Sequence, residues 1–181
     1  MIHRIQFEQW VPAGLETTFL FFADPRNLPR IMPPNAGTEI SELKLVPPTG
    51  GEVADSTRHT LAGEGSEIVT SFRMFPFLPL RAKWIALITE FEWNHHFADK
   101  QIKGPFKHFH HRHEFAADTR NGAPGTLTKD VIDYDAGFGP FGRLAGGLYI
   151  EPRLRRTFAY RQNAVARSLT AAPAPRDNQL L

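Results

Sequence analysis

The chain has 181 residues, 41% of them hydrophobic and 22% charged, with a formal net charge of +2 and no cysteine. That length makes one domain the default and is enough to bury a core. The small basic surplus is too weak and too scattered for nucleic-acid binding, and without cysteine there are no disulfides, thiolate chemistry or cysteine zinc sites.

The one basic cluster, "RLRR" at 153–156, reads as an exposed helix side. The N-terminal "MIHRIQFEQW" has no basic stretch leading into an apolar run, so no signal peptide is expected. No apolar run approaches the ~20 residues that span a bilayer. These features lead us to expect a soluble, cytoplasmic protein.

Residues 3–11, "HRIQFEQWV", alternate apolar and polar side chains, which is a strand pattern. Leu15, Phe19 and Phe22 then recur at i, i+4 and i+7, one stripe of a helix. Pro25 should stop that helix. Leu28, Ile31 and Met32 predict a second short turn, ended by Pro33 and Pro34. From Thr38 to Tyr134 the chain breaks into short β-rich runs: "TEISELKLV", "STRHTLA", "SEIVTSFRMF", "KWIALITEFEW", "HFADKQIK", "FKHFHHRHEFA" and "TLTKDVIDY". Short turn-like dividers join them, as in an antiparallel sheet. "FPFLPL" at 75–80 reads first as a packed hairpin connection, with a mobile lip over a pocket or a membrane-touching loop as the alternatives.

After the Gly-rich "GFGPFGRLAGG", which lacks the Lys-Ser/Thr end of a phosphate loop, the pattern turns helical to about Leu169. Leu144, Leu148, Leu154, Phe158, Arg161 and Val165 lie near one stripe. Gly146, Gly147 and Pro152 should kink or divide it. The Ala/Pro-rich end, 171–181, reads as a flexible tail behind a single domain at 1–170. One sheet of six to seven strands with helices on one side is an α+β fold, and a curved sheet gripping a long helix leaves room for a mostly apolar pocket.

Several stretches resemble the START/Bet v 1-like (SRPBCC) superfamily, and within it the bacterial ligand-binding, polyketide cyclase/dehydrase-like group. They are "LETTFLFFADPRNLPRIMPP", "FPFLPLRAKWIALITEF", "FADKQIKGPFKHFHHRHEF", "GTLTKDVIDYDAGFGPFGRLAG" and "LRRTFAYR", in the family's order across roughly 1–167. The most specific is "F-x-D-x-Q-x-x-G-P-F" followed by "H-x-H-x-F". The resemblance implies a helix-grip fold, a curved antiparallel sheet wrapped around a long C-terminal helix with a cavity between them. It also implies a hydrophobic or amphipathic small-molecule ligand. Some members are cyclases or dehydratases. The chain departs from the pattern at Phe109, where the family often has Trp, and at Pro152, inside the expected helix.

"GPFKHFHHRHEF" at 104–115 holds four of the eight histidines. Strand alternation divides them. Phe109, His111, His113 and Phe115 share an apolar face and should point inward. Phe106, His108, His110, Arg112 and Glu114 fall on the other. The hairpin through Gly104 and Pro105 admits two registers. The odd one is preferred, because it sets Phe97 against His113, Asp99 against His111 and Gln101 against Phe109. The register of the next strand is open. One pairing joins Asp130 to His113 and brings Tyr134 to Phe109. Trp84 either lines the cavity or fills the core.

Three readings of the inward histidines follow. A metal site needs three or four convergent ligands, and the spacing offers only His-x-His with Asp99 as a possible third, so no metal and no cofactor is assigned. A catalytic reading makes His111 or His113 a general base oriented by Asp99 or Asp130, with Tyr134 polarising a carbonyl in a cyclisation or dehydration. The preferred reading makes the histidines polar anchors that orient a bound molecule. The expected pocket is then Trp84, Phe97, Asp99, Gln101, Phe109, His111, His113, Phe115 and Tyr134.

Overall fold

The computed structural model describes residues 1–73, 80–137 and 149–170. Seven antiparallel strands form one sheet: β1 (His3–Val11), β2 (Glu39–Lys44), β3 (Glu67–Arg73), β4 (Arg81–Glu92), β5 (His96–Lys103), β6 (His108–Arg120) and β7 (Ala123–Asp135). The spatial order is β1-β7-β6-β5-β4-β3-β2, so β2 to β7 form a meander and β1 closes on the last strand. Register shifts at Ile85/Ala86 and Ile88/Glu90 in β4, and at Ile40/Glu42 in β2, bend the sheet.

Helix α1 (Leu15–Ala23) ends just before Pro25, as its stripe predicts, and buries Phe19 completely. A 3₁₀ turn and the short α2 (Leu28–Ile31) follow, with Ile31 packed near Ala164 and Val165. The C-terminal helix α4 (Glu151–Thr170) lies on the sheet. Its Phe158 ring stacks on Phe7 of β1, with centroids 4.3 Å apart and planes within 2°. Sheet, α1–α2 and α4 thus make the α+β helix-grip arrangement. No helix among the described residues is long and apolar enough to cross a membrane.

One expectation is corrected here. "STRHTLA" is not a strand: Asp55–Arg58 form a short helix, α3, and a turn follows. The curl lets the Arg58 guanidinium donate to the carbonyls of Pro48, Gly50 and Gly51 and face the Trp93 ring, so Arg58 staples a loop away from the pocket. Pro152, the second residue of α4, lies where the chain passes from a π-helical turn at 149–150 into the α-helix, so the helical stretch is divided beside the proline, as expected. "FPFLPL" up to Pro79, Leu144, Leu148, the Gly146-Gly147 pair and the 171–181 tail, for which the sequence raised expectations, lie outside the described residues.

Candidate ligand pocket and its buried polar floor

A cavity of ≈ 700 Å³ lies between the inner sheet face, α1–α2 and α4. Its wall is mainly apolar, and Trp84 stands at its centre. The Trp84 ring meets Phe109 edge-on at 4.7 Å and Phe106 at 5.9 Å. Aromatic rings supply large apolar area with preferred edge-to-face geometry. Phe97 lines the far side, its ring 4.5 Å from His113.

The odd hairpin register is the one adopted: Phe97 pairs with His113 and Asp99 with His111. On the other side β6 pairs Phe109 with Tyr134 and His113 with Asp130. His111 and His113 therefore sit between two carboxylates, one from each neighbouring strand. His111 Nε2 lies 2.9 Å from Asp130 Oδ1, and His113 Nδ1 lies 2.7 Å from the same oxygen. His111 Nδ1 lies 3.9 Å from Asp99 Oδ1. The imidazole centroids are 3.9 Å apart. His111 and His113 are each 6% exposed and Asp130 is 8% exposed.

Burial and the neighbouring His113 push the His111 pKa down to about 4 against the pull of Asp130, and burial lowers His113 too. Burial pushes the Asp130 carboxyl up, but His113 and the hydrogen bonds from both imidazoles outweigh it and hold it below the usual range. Near neutral pH the arrangement is thus an ionised Asp130 receiving N–H groups from two neutral imidazoles. Asp99 has no such donors, so burial raises its pKa despite His111.

Not every expected pocket residue reaches the cavity. Trp84, Phe97, Asp99, Phe109, His111 and His113 line it. Phe115 lies behind the wall, because Phe19 and Phe22 of α1 cover its ring at 5.3 and 5.4 Å. Tyr134 is 1% exposed and sits behind Phe106, with His3 stacked at 5.4 Å. Gln101 exchanges two hydrogen bonds with the Phe106 backbone and closes the hairpin turn. Phe106, which alternation sets on the face opposite Phe109, lines the cavity. The strand β6 starts only at His108, so period-two alternation does not extend back through the turn.

Arg161 of α4 is the residue that the sequence reading missed. It lines the cavity, with its guanidinium 4.7 Å over the Phe158 ring. Burial lowers its pKa, and Asp130 and Asp99 oppose that shift, so it remains a cation facing the same polar floor. The signal was an arginine inside an otherwise apolar helical stripe between Phe158 and Val165.

No family model and no curated protein matches the chain. Solved structures do. A START superfamily protein from Mycobacterium smegmatis superposes with TM-score 0.62 at 14% identity, covering 92% of this chain and 97% of that one. Norcoclaurine synthase from Thalictrum flavum, in complex with dopamine and hydroxybenzaldehyde, gives 0.59 at 15%, covering 96% and 90%. Major latex-like protein 151 from Panax ginseng gives 0.58 at 12%, covering 93% and 98%. Identities this low carry fold and no more. The seven-stranded curved sheet, the C-terminal helix and these superpositions together give the chain the helix-grip fold of the START/Bet v 1-like superfamily.

Proposed function

We propose that the protein binds or carries a hydrophobic or amphipathic small molecule in the cavity between the sheet and α4. The observation that carries this reading is the cavity itself: ≈ 700 Å³, walled mainly by aromatic and aliphatic side chains, with Asp99, His111, His113 and Arg161 among its few polar groups. Small-molecule sites have this composition, with apolar surface for affinity and a few polar groups for orientation. Native mass spectrometry of the purified protein tests it. The expected result is a mass surplus of about 200–500 Da, suited to such a cavity, which is lost on denaturation and recovered by extraction. A protein that carries no such molecule and also fails to bind apolar fluorescent probes would refute the reading.

Arg161 gives the ligand's polar end a chemical class. A partly buried cation with an aromatic ring beneath it favours an anionic or strongly electronegative head group. Replacing Arg161 with Met should weaken carboxylate-headed probes about tenfold, a loss typical of one charge-assisted contact. Neutral apolar probes should change little. Equal weakening of both would assign Arg161 to packing alone.

A second reading makes the pocket catalytic, with a histidine removing a proton α to a carbonyl in a cyclase or dehydratase reaction. The 2.9 Å contact between His111 and Asp130 favours it, since a carboxylate behind an imidazole fixes its tautomer and supports the imidazolium that forms. Deuterium exchange α to the carbonyl of a bound β-diketone reads this step. The exchange should disappear in His111→Ala or His113→Ala while binding persists. Binding without exchange in the unaltered protein leaves carriage as the function.

A further inference from the structure

Asp99, His111 and His113 come from adjacent strands and present one ligand atom each within 4.8 Å of one another. Asp99 and His111 are a direct cross-strand pair, and His113 lies two residues along the same face. Two ligands held at 2.0–2.2 Å from one ion are at most about 4.4 Å apart, and about 3.4 Å apart in a tetrahedral shell. The 3.9 Å between His111 Nδ1 and Asp99 Oδ1 is already inside that limit. The remaining pairs, all within 4.8 Å, have at most about 1.4 Å to close to reach tetrahedral spacing.

Asp130 adds an independent observation. A neutral imidazole has one N–H and one lone pair. The Asp130 Oδ1 atom takes the N–H of both rings, at His111 Nε2 and His113 Nδ1. That leaves His111 Nδ1 and His113 Nε2 as lone pairs, joined by a carboxylate oxygen of Asp99. Among the described residues neither nitrogen receives a hydrogen bond, and His111 Nδ1 faces the Asp99 carboxylate at 3.9 Å. At metal sites a ligating histidine usually donates its other ring N–H to a carboxylate, which fixes its tautomer, as Asp130 would do here.

We propose that Asp99, His111 and His113 form a two-histidine, one-carboxylate site for a divalent first-row transition ion, open toward the cavity, with Asp130 holding both imidazoles in the ligating tautomer. The mixed nitrogen–oxygen set suits Zn²⁺, Co²⁺ or Fe²⁺ over Mg²⁺ or Ca²⁺, which favour all-oxygen shells. The charge count is also informative. A divalent ion with Asp99, Asp130 and Arg161 leaves one net positive charge at the cavity floor. An anionic oxygen on the cavity ligand would neutralise it and fill an open coordination position.

The test titrates Co²⁺ into chelator-treated full-length protein and follows its visible absorption, with Zn²⁺ equilibrium dialysis and elemental analysis in parallel. One equivalent per chain is expected. Asp99→Asn and His113→Gln should each weaken Co²⁺ at least tenfold, and Asp130→Asn by about 10- to 100-fold through the second shell. Glu92 and His95, both exposed, and the half-buried His96 also converge and are the competing explanation. A Glu92→Gln, His95→Gln double variant should therefore keep full binding. No uptake by the unaltered protein, or loss of uptake in that surface variant, overturns the proposal. These two measurements decide it even where a cavity variant fails to fold, which near-ultraviolet circular dichroism reports. An apolar fluorescent probe, added to the same samples, keeps the ligand-binding reading separately testable. Probe binding without Co²⁺ sinks only the metal site, and Co²⁺ without probe binding sinks only the carrier.

Discussion

The two faces of β6 carry similar residue types and obey different physics. Outside, His110, Arg112 and Glu114 meet Glu90 and Lys129 in a charged patch that is about one-third exposed. Inside, His111 and His113 meet Asp130 and Asp99, all largely withdrawn from the outer solvent. Outside, each ion pair competes with water and salt, so its net worth is small. Inside, each polar group that loses its partner has nothing to replace it. The lesson is that the number of charged contacts says little, and the dielectric around each contact decides its weight.

The largest effect is expected where that inner network is cut. Asp130→Ala strips the acceptor from two buried imidazoles and should cost about 3 kcal/mol by urea unfolding, in line with a broken buried pair. A cost under about 1 kcal/mol would mean that the inner face is as solvent-tolerant as the outer one. Acid should act on the same network. His111 holds a pKa of about 4 in the fold against 6.5 in the unfolded chain, so the unfolded state binds more protons between those values. Its contribution is present above pH 6.5 and is lost as pH falls toward 4, about 3 kcal/mol for that interval. His113 and Asp130, both lowered, share this sign, while the raised Asp99 opposes it. Urea midpoints should therefore fall from pH 7 to 4, and the fall should flatten in His111→Gln. The smallest effect belongs outside. Arg112→Ala removes contacts to Glu90 and Glu114 and should shift stability by less than about 1 kcal/mol, less still in 0.5 M salt.

Alternation made the inward set of β6 legible, because a strand's side-chain period is fixed by its backbone and the core supplies the sign. The Asp99–His111 pairing was legible for a related reason: only one register put a carboxylate and not a lysine beside the buried ring. Two kinds of fact were not legible. Phe106 and Gln101 depend on a turn, where no period applies. Phe115 and Tyr134 point inward as the pattern says, yet other side chains cover them, and that depends on three-dimensional packing of α1 and of the turn. Arg161 was visible as an anomaly in an apolar stripe. Its role emerges only when α4 is laid against the sheet.

The place of β1 at the end of the sheet has a consequence for how the chain is made. The meander from β2 to β7 can zip up hairpin by hairpin, each strand meeting the one just finished. β1 cannot, because His3 pairs with Tyr134 and Val11 with Thr126. During synthesis at 5–20 residues per second, Ile5, Phe7 and Val11 would wait roughly 6–25 s for their partner strand to exist. β1 emerges long before its partner and is thus among the last strands to find its place, and its unpaired edge is the part of the sheet most in need of shelter meanwhile.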